Sequence, residues 1–268
     1  ADAELEDAFQ NVPNVKSPLN HESAKAYHFP GEKLPEGVLY GMSCEIPVKA
    51  LKDASSALDV TMGAYLAALM LYSGYLAQRE EHPKHLLPIA VSVPINLRKR
   101  LGGMTMRNYS WFVTPKLDPK KSYSFEQIAA EVSAQLKAAT EIRSLTADIA
   151  PNRNLLRNLG FRLVPLPLKS AAISTVYHYV SDRPVTTTMS NLGVVEMPEE
   201  MNTYIDRFEF CLGAPYANTT NSAIVTTGET VMICFTSSQK NPYLPKAVCQ
   251  FLREHNVPVT ICNEREYQ

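Results

Sequence analysis

A chain of 268 residues, 45% of them apolar, with a formal charge of -1, can build one large domain or two small ones around a substantial core. The balanced charge argues against a broad nucleic-acid or membrane-surface role, because no basic excess is present to attract phosphate. The five cysteines, Cys44, Cys211, Cys234, Cys249 and Cys262, are too far apart in sequence for a zinc ribbon or a thioredoxin-like pair. An odd, scattered set predicts reduced thiols in a cytoplasmic protein, most of them small core residues.

The chain opens at Ala1 in an acidic, helix-like stretch, which reads as a piece of a longer protein. Pro13, Pro18, Pro30 and Pro35, with Gly31 and Gly37, then predict an extended, unpacked lead-in over residues 1–37. One lobe is expected over 38–268. It begins with a strand in "GVLYGMSCEIP" that feeds a helix in "VKALKDASSAL". A second helix starts at Thr61, a plausible cap, with Met62, Tyr65, Leu66, Leu69, Met70 and Leu76 near one face. It is too interrupted, by Ser73 and Gly74, to be a membrane span.

"LLPIAVSVPI" has the continuous apolar character of a strand buried on both faces, and it ends in the polar turn "NLRKRLGG". The basic cluster there reads as a solvated turn. "MRNYSWFVTPKL" resumes as a strand, and Ser124 with Gln127 forms a capping-box start for a long helix. Residues 151 to 180 predict helix in pieces. The last ninety or so residues hold candidate strands in "PVTTTMS", "RFEFCLG", "SAIVTTG" and "TVMICFTS", with a tight hairpin at Gly228. "LPKAVCQFLREH" is a short helix and "VPVTICN" a closing strand. Strands and helices without strict alternation predict an α/β chain of the α+β type, a mixed sheet with helices mainly on one face.

No nucleophile elbow, phosphate-cradling glycine loop or paired glycosidase carboxylates are present. His178 and Asp182, four apart in "VYHYVSDRP", suggest a general base and its orienter. The β-branched and aromatic flank favours strand, where the two stand about 13 Å apart and cannot bond directly. His82 and His85 have one-turn spacing, but Pro83 breaks the helix and no third ligand is near, so no metal is expected. Two turns stand out. One delivers Asn96 and Arg98 to the carboxyl end of a buried strand; the other, "MSNLGVV", holds Ser190 and Asn191 before Gly193. Strand ends of this kind either form binding crevices or are closed by side-chain hydrogen bonds, and the pattern leaves both readings open.

At these turns the sequence resembles the CoA-dependent acyltransferase superfamily, which includes chloramphenicol acetyltransferase, the alcohol acyltransferases and the condensation domains of peptide synthetases. The ordered matches are "VTMGAYLAALML", "VSVPINLRKRLGGMTMRNYSWFVTPKLD" and "TTTMSNLGVVEMP", followed by the hairpin and helix. They span residues 38 to 262 and look most like the bacterial alcohol acetyltransferase branch. The resemblance implies two similar lobes with a tunnel between them, acyl-CoA as substrate, and a small-molecule alcohol or amine as acceptor. The family's His-His-x-x-x-Asp-Gly motif lies in the first lobe, where its second histidine takes the acceptor's proton.

In this chain His178 lacks the preceding histidine, being preceded by Tyr177, and Arg183 replaces the glycine after Asp182. The spacing reads as coincidence. The chain then resembles a C-terminal lobe with no catalytic residue of its own beyond His178 as a fallback, and is expected to be inactive alone. By resemblance Arg98 would hold the missing motif's aspartate, or in this chain stay solvated or pair with a local carboxylate, and Asn96 would support the turn. Ser190, Asn191 and Gly193 would line the tunnel. The expected partners are an N-terminal lobe of the same polypeptide or, through the uncovered face, a second copy. Two alternatives remain: a non-catalytic binding module of the same lobe fold, and a self-sufficient trimer that would need a histidine such as His255.

Overall fold

The computed structural model describes residues 2–13, 15, 24–81, 84–158, 160, 163–177, 183–201, 203–213 and 218–267. Two elements form one continuous piece at its centre. β1 (Leu39–Pro47) runs directly into α2 (Val48–Ser56), and α3 (Met62–Glu81) follows after a short turn. Thr61 caps α3 by accepting from the Ala64 N–H at 3.1 Å. Every residue of α3 from Ala64 to Leu71 is buried, so its apolar face is the whole circumference rather than the single stripe expected. The cause lies in the neighbours. β2 (Ile89–Asn96) and β5 (Thr187–Val194) lie along one side, while α5 (Phe125–Ala139) and α8 (Tyr243–Glu254) pack against others. Leu76 is the exception, 42% exposed near the helix end.

The described strands form an eight-stranded mixed sheet in the order β3-β2-β5-β6-β7-β1-β8, with β4 also paired to β2. Here β3 is Ser110–Val113, β4 Lys116–Leu117, β6 Thr220–Thr227, β7 Thr230–Ser237 and β8 Thr260–Tyr267. β2–β5 and β5–β6 are parallel; the other pairs are antiparallel. The β6–β7 hairpin turns at Gly228, whose φ of 56° is the left-handed backbone that glycine adopts without a Cβ clash. The capping box at Ser124 is present in full: its side chain accepts from the Gln127 N–H, and the Gln127 side chain accepts from the Ser124 N–H. Ser124→Ala should cost about 1 kcal/mol in a urea unfolding measurement. A loss below a few tenths would show that the box is idle.

Three expectations are corrected. The first forty residues are more packed than their prolines imply: α1 (Asp2–Leu5) is helical, and Val12, Tyr27 and Phe29 are buried in the common core. "RFEFCLG" forms no strand. Its period-2 alternation is real, with Phe208 and Phe210 half-buried and Arg207, Glu209 and Cys211 exposed. However, it lies over the face of β6, β7 and β1, which already have neighbours on both edges, so none of these strands offers it a ladder. It crosses the sheet as a strap instead. Residues Thr175 to Tyr177, read from their β-branched character as strand, are the end of α7 (Leu166–Tyr177), which follows α6 (Ile142–Arg157) in the chain. Leu166, Leu168 and Ile173 of α7 remain half or more exposed. No helix among the described residues is long and apolar enough to cross a membrane.

Candidate functional site

The two turns singled out in the sequence lie almost a hundred residues apart, yet they belong to neighbouring parallel strands. The β2–β5 ladder pairs Val91 with Thr187 and Ser92 with Thr188, just before the ends that carry Asn96 and Asn191. Parallel pairing brings both carboxyl ends to one edge of the sheet. That is where open α/β sheets form ligand crevices.

At the β2 end, the Asn96 side chain accepts from the Arg98 N–H at 3.0 Å, which starts the four-residue helix α4 (Arg98–Leu101). Among the described residues the Arg98 guanidinium reaches no carboxylate. Its Nε donates to the Thr105 carbonyl at 2.8 Å, and Nη2 donates to the Arg107 carbonyl. The expectation of a solvated or carboxylate-paired arginine is thereby corrected: a planar fork of donors fits two carbonyls of one loop equally well. The loop is held from its other side too. Thr105 Oγ1 donates to the Glu6 carbonyl at 2.6 Å, the Met106 N–H donates to the Glu4 carbonyl at 2.7 Å, and Phe9 packs edge-on against Tyr109 at 5.1 Å. Nothing in the sequence signalled this docking of the first ten or so residues.

At the β5 end, "SNLG" is not a turn between strands but a bulge inside β5, with the register to β6 shifting between Asn191 and Val194. Gly193 has φ 80°, and its N–H donates to Asn191 Oδ1 at 2.8 Å. Asn191 therefore closes the kink, the local role that the pattern had left open. Successive strand residues point to opposite faces. Asn191 points to the helical face, where its Nδ2 lies 4.0 Å from where a Cβ on Gly63 of α3 would stand. Ser190 sits in register with Ala223 on the other face. The two were expected to line one tunnel together; the structure sends them to opposite sides of the sheet.

A feature missed in the sequence lies on that second face. Ser92, Thr188, Asn221, Thr236 and Gly41 form one register row across β2, β5, β6, β7 and β1. Asn221 Oδ1 and Thr236 Oγ1, with Ser43 Oγ nearby on β1, are buried and have no hydrogen-bond partner among the described residues. The signal was the run of small polar residues that opens "TNSAIVTT", which reads as an ordinary strand start until neighbouring strands are aligned. The strap of residues 206–213 crosses these strands: the Phe208 N–H donates to Thr227 Oγ1 at 3.2 Å, Asn221 Nδ2 donates to the Gly213 carbonyl at 3.3 Å, and Arg207 pairs with Glu45 at 3.4 Å.

His178 and Asp182 lie outside the described residues, as does His82. His255 ends α8: Nδ1 bonds the Phe251 carbonyl at 2.8 Å and the ring stacks on Phe251 at 3.9 Å. A cleft of about 370 Å³ opens between α8 and β8, lined by Met42, Lys246, Cys249, Arg253, Ile261 and Glu264. It is separated from the β2 and β5 ends by β6 and β7, so it is not part of the crevice.

No protein-family model and no curated protein matches the sequence. Solved structures do match in fold. The F. sporotrichioides TRI101 protein, complexed with coenzyme A and T-2, is 12% identical, with a TM-score of 0.56 over 94% of this chain and 56% of its own. Polyketide synthase associated protein 5 from Mycobacterium tuberculosis is 11% identical, with a TM-score of 0.53 over 93% of this chain and 61% of its own. The PapA2 acyl transferase is 12% identical, with a TM-score of 0.50 over 86% of this chain and 48% of its own. The chain thus spans about half to three-fifths of the length of these proteins. At such identities the likeness is one of architecture: the chain shares the mixed α/β fold of these three structures.

Proposed function

We propose that the chain is the C-terminal lobe of a two-lobe acyltransferase that moves an acyl group, an acetyl group by resemblance, from coenzyme A to an alcohol or amine. The observation that carries this reading is the meeting of "PINLR" and "MSNLG" at the carboxyl edge of adjacent parallel strands, within a fold shared with an acyl transferase and with a protein bound to coenzyme A. The histidine that would take the acceptor's proton belongs to an upstream lobe of the same polypeptide. The reduced thiols suit a cytoplasmic enzyme. Exposed Leu192 and Val194 beside the kink, with Leu166 and Leu168 on α7, offer apolar surface for that lobe or for a second copy.

The test is acetyl-CoA turnover with a panel of alcohols and amines, followed by release of free thiol. The 268-residue chain alone should give no turnover above the uncatalysed rate. Joined to an upstream lobe carrying the histidine motif, it should turn over, and mutating that motif's second histidine should abolish the rate. Turnover by the isolated chain that is lost in His178→Ala would overturn the proposal.

One observation favours a second reading, a non-catalytic binding module. Two of the five Arg98 donors go to the Thr105 and Arg107 carbonyls, so it holds its own loop without any aspartate from another lobe. A full-length protein that binds coenzyme A but shows no acyl transfer would decide for the module.

A further inference from the structure

The strap of residues 206–213 brings together two thiols far apart in sequence. Cys211 is exposed on it, and Cys234, 1% exposed, lies beneath it on β7. In register Cys234 stands between Ser43 of β1 and Ala223 of β6. The strap is tied to Glu45 on one side of it and to Asn221 and Thr227 on the other, so it passes over Cys234, with the Phe210 backbone and the Cys211 thiol as neighbours, and both cysteines are free. Among the described residues the strap's other ties to the sheet are long: the Arg207–Glu45 pair at 3.4 Å, the Phe208–Thr227 bond at 3.2 Å and the Asn221–Gly213 bond at 3.3 Å. A half-exposed ion pair and bonds of that length hold a segment weakly. Beneath it lie Asn221 Oδ1 and Thr236 Oγ1, which have no hydrogen-bond partner among the described residues.

We propose that Cys211 and Cys234 form a reversible disulfide under oxidising conditions, pinning the strap to β7 and closing it over the polar row. The proposal does not depend on any acyl-transfer chemistry. Burial pushes the Cys211 thiol up, and the Cys234 thiol up to about 12, so neither is a standing thiolate primed for peroxide. The step that fits is exchange with a small disulfide. Exposed Cys211 loses its proton and attacks one sulfur of oxidised glutathione, forming a mixed disulfide and releasing one glutathione thiolate. Cys234 then loses its proton and attacks the Cys211 sulfur, breaking the mixed bond and releasing the second glutathione. Two protein thiols and one oxidised glutathione give one protein disulfide and two reduced glutathiones.

The other cysteines sharpen the assignment. Cys44 and Cys249 are neighbours on the helical face, 0% and 3% exposed, with the Cys44 thiol donating to the Ile233 carbonyl at 3.6 Å, so they are shielded from the oxidant. Cys262, half-exposed against Glu45, serves as an internal control for simple mixed-disulfide formation.

The experiment uses the full 268-residue chain, reduced, desalted and incubated with oxidised glutathione. Non-reducing peptide mapping should find a Cys211–Cys234 link with the loss of two hydrogens. Trypsin cleavage at Arg207 should slow by roughly tenfold or more, since cleavage requires the strap to open. Dithiothreitol should restore the original rate. Cys211→Ser, an exposed change that should leave the urea midpoint in place, should lose both the link and the protection. Cys211 left as a stable mixed disulfide, a link from Cys211 to Cys262, or equal protection in Cys211→Ser would each overturn the proposal.

Discussion

Phe235→Ala is expected to destabilise the protein by about 3–5 kcal/mol, the range for removing a large buried aromatic side chain without collapse of the cavity. Phe235 lies on β7 with no exposed surface, in register with Met42 of β1 and Ser222 of β6. It belongs to the single core cluster shared with α3 and α8. Rigid strands on either side leave the site little freedom to close. Phe112 is the internal comparison. It sits on the edge strand β3, is 46% exposed, and should cost about 1 kcal/mol or less when replaced by alanine, in proportion to the area it hides. Urea midpoints of the two variants beside the parent chain check both figures. Equal losses would sink the assignment of the core to the helical face.

Much of this core was legible because local signals and tertiary role agree. The strand-to-helix stretch of β1 and α2, the capping box at Ser124, the hairpin glycine at 228 and the apolar run of β2 each specify an element whose neighbours then do what the pattern requires. The failures share a cause. "RFEFCLG" has the alternation of a strand, and only its place over the face of strands already paired on both edges denies it a ladder. Thr175 to Tyr177 have strand propensity, but they continue a helix already begun at Leu166, and propensity of a few tenths of a kcal/mol per residue yields to that. The single-face reading of α3 failed because periodicity reports how a helix differs around its circumference, not how many partners surround it.

The candidate site was half legible. The residue types and their places at strand ends came from the sequence, but whether β2 and β5 would be neighbours, and parallel, is a property of sheet order that no local pattern carries. Facing is subtler still. Ser190 and Asn191 are adjacent in sequence and therefore on opposite faces, and the Gly193 kink changes the register only after both have been placed. Any role for this edge must therefore be split. Ser190 serves the face with the polar row, while Asn191 shapes the backbone beside α3.

The second large effect is a loss of stability on the alkaline side. Tyr27 donates to Glu81 Oε2 and Tyr40 to Glu264 Oε1, each at 2.8 Å, and burial followed by the neighbouring carboxylate holds both phenols well above their usual range. Cys44 is pushed up by its hydrogen bond to Cys249 and by burial, and Cys234 by burial to about 12. These groups are neutral when protonated, and the folded chain holds its protons at pH values where the unfolded chain has released them. Their contribution is fully present below the unfolded values, near pH 9 for the thiols and near pH 10 for the phenols, and fades as pH rises through the folded values. Cys249 runs the other way, lowered mainly by the Cys44 bond, and offsets part of the thiol contribution. The urea midpoint should therefore hold steady between about pH 7 and pH 8.5 and fall continuously above it. Tyr27→Phe should flatten the part of the decline above about pH 10, while Cys234→Ala should flatten the part that starts near pH 9. A midpoint unchanged up to about pH 11 would mean that these protons are not held by the fold, and that the hydroxyls of Tyr27 and Tyr40 are in water rather than against their carboxylates.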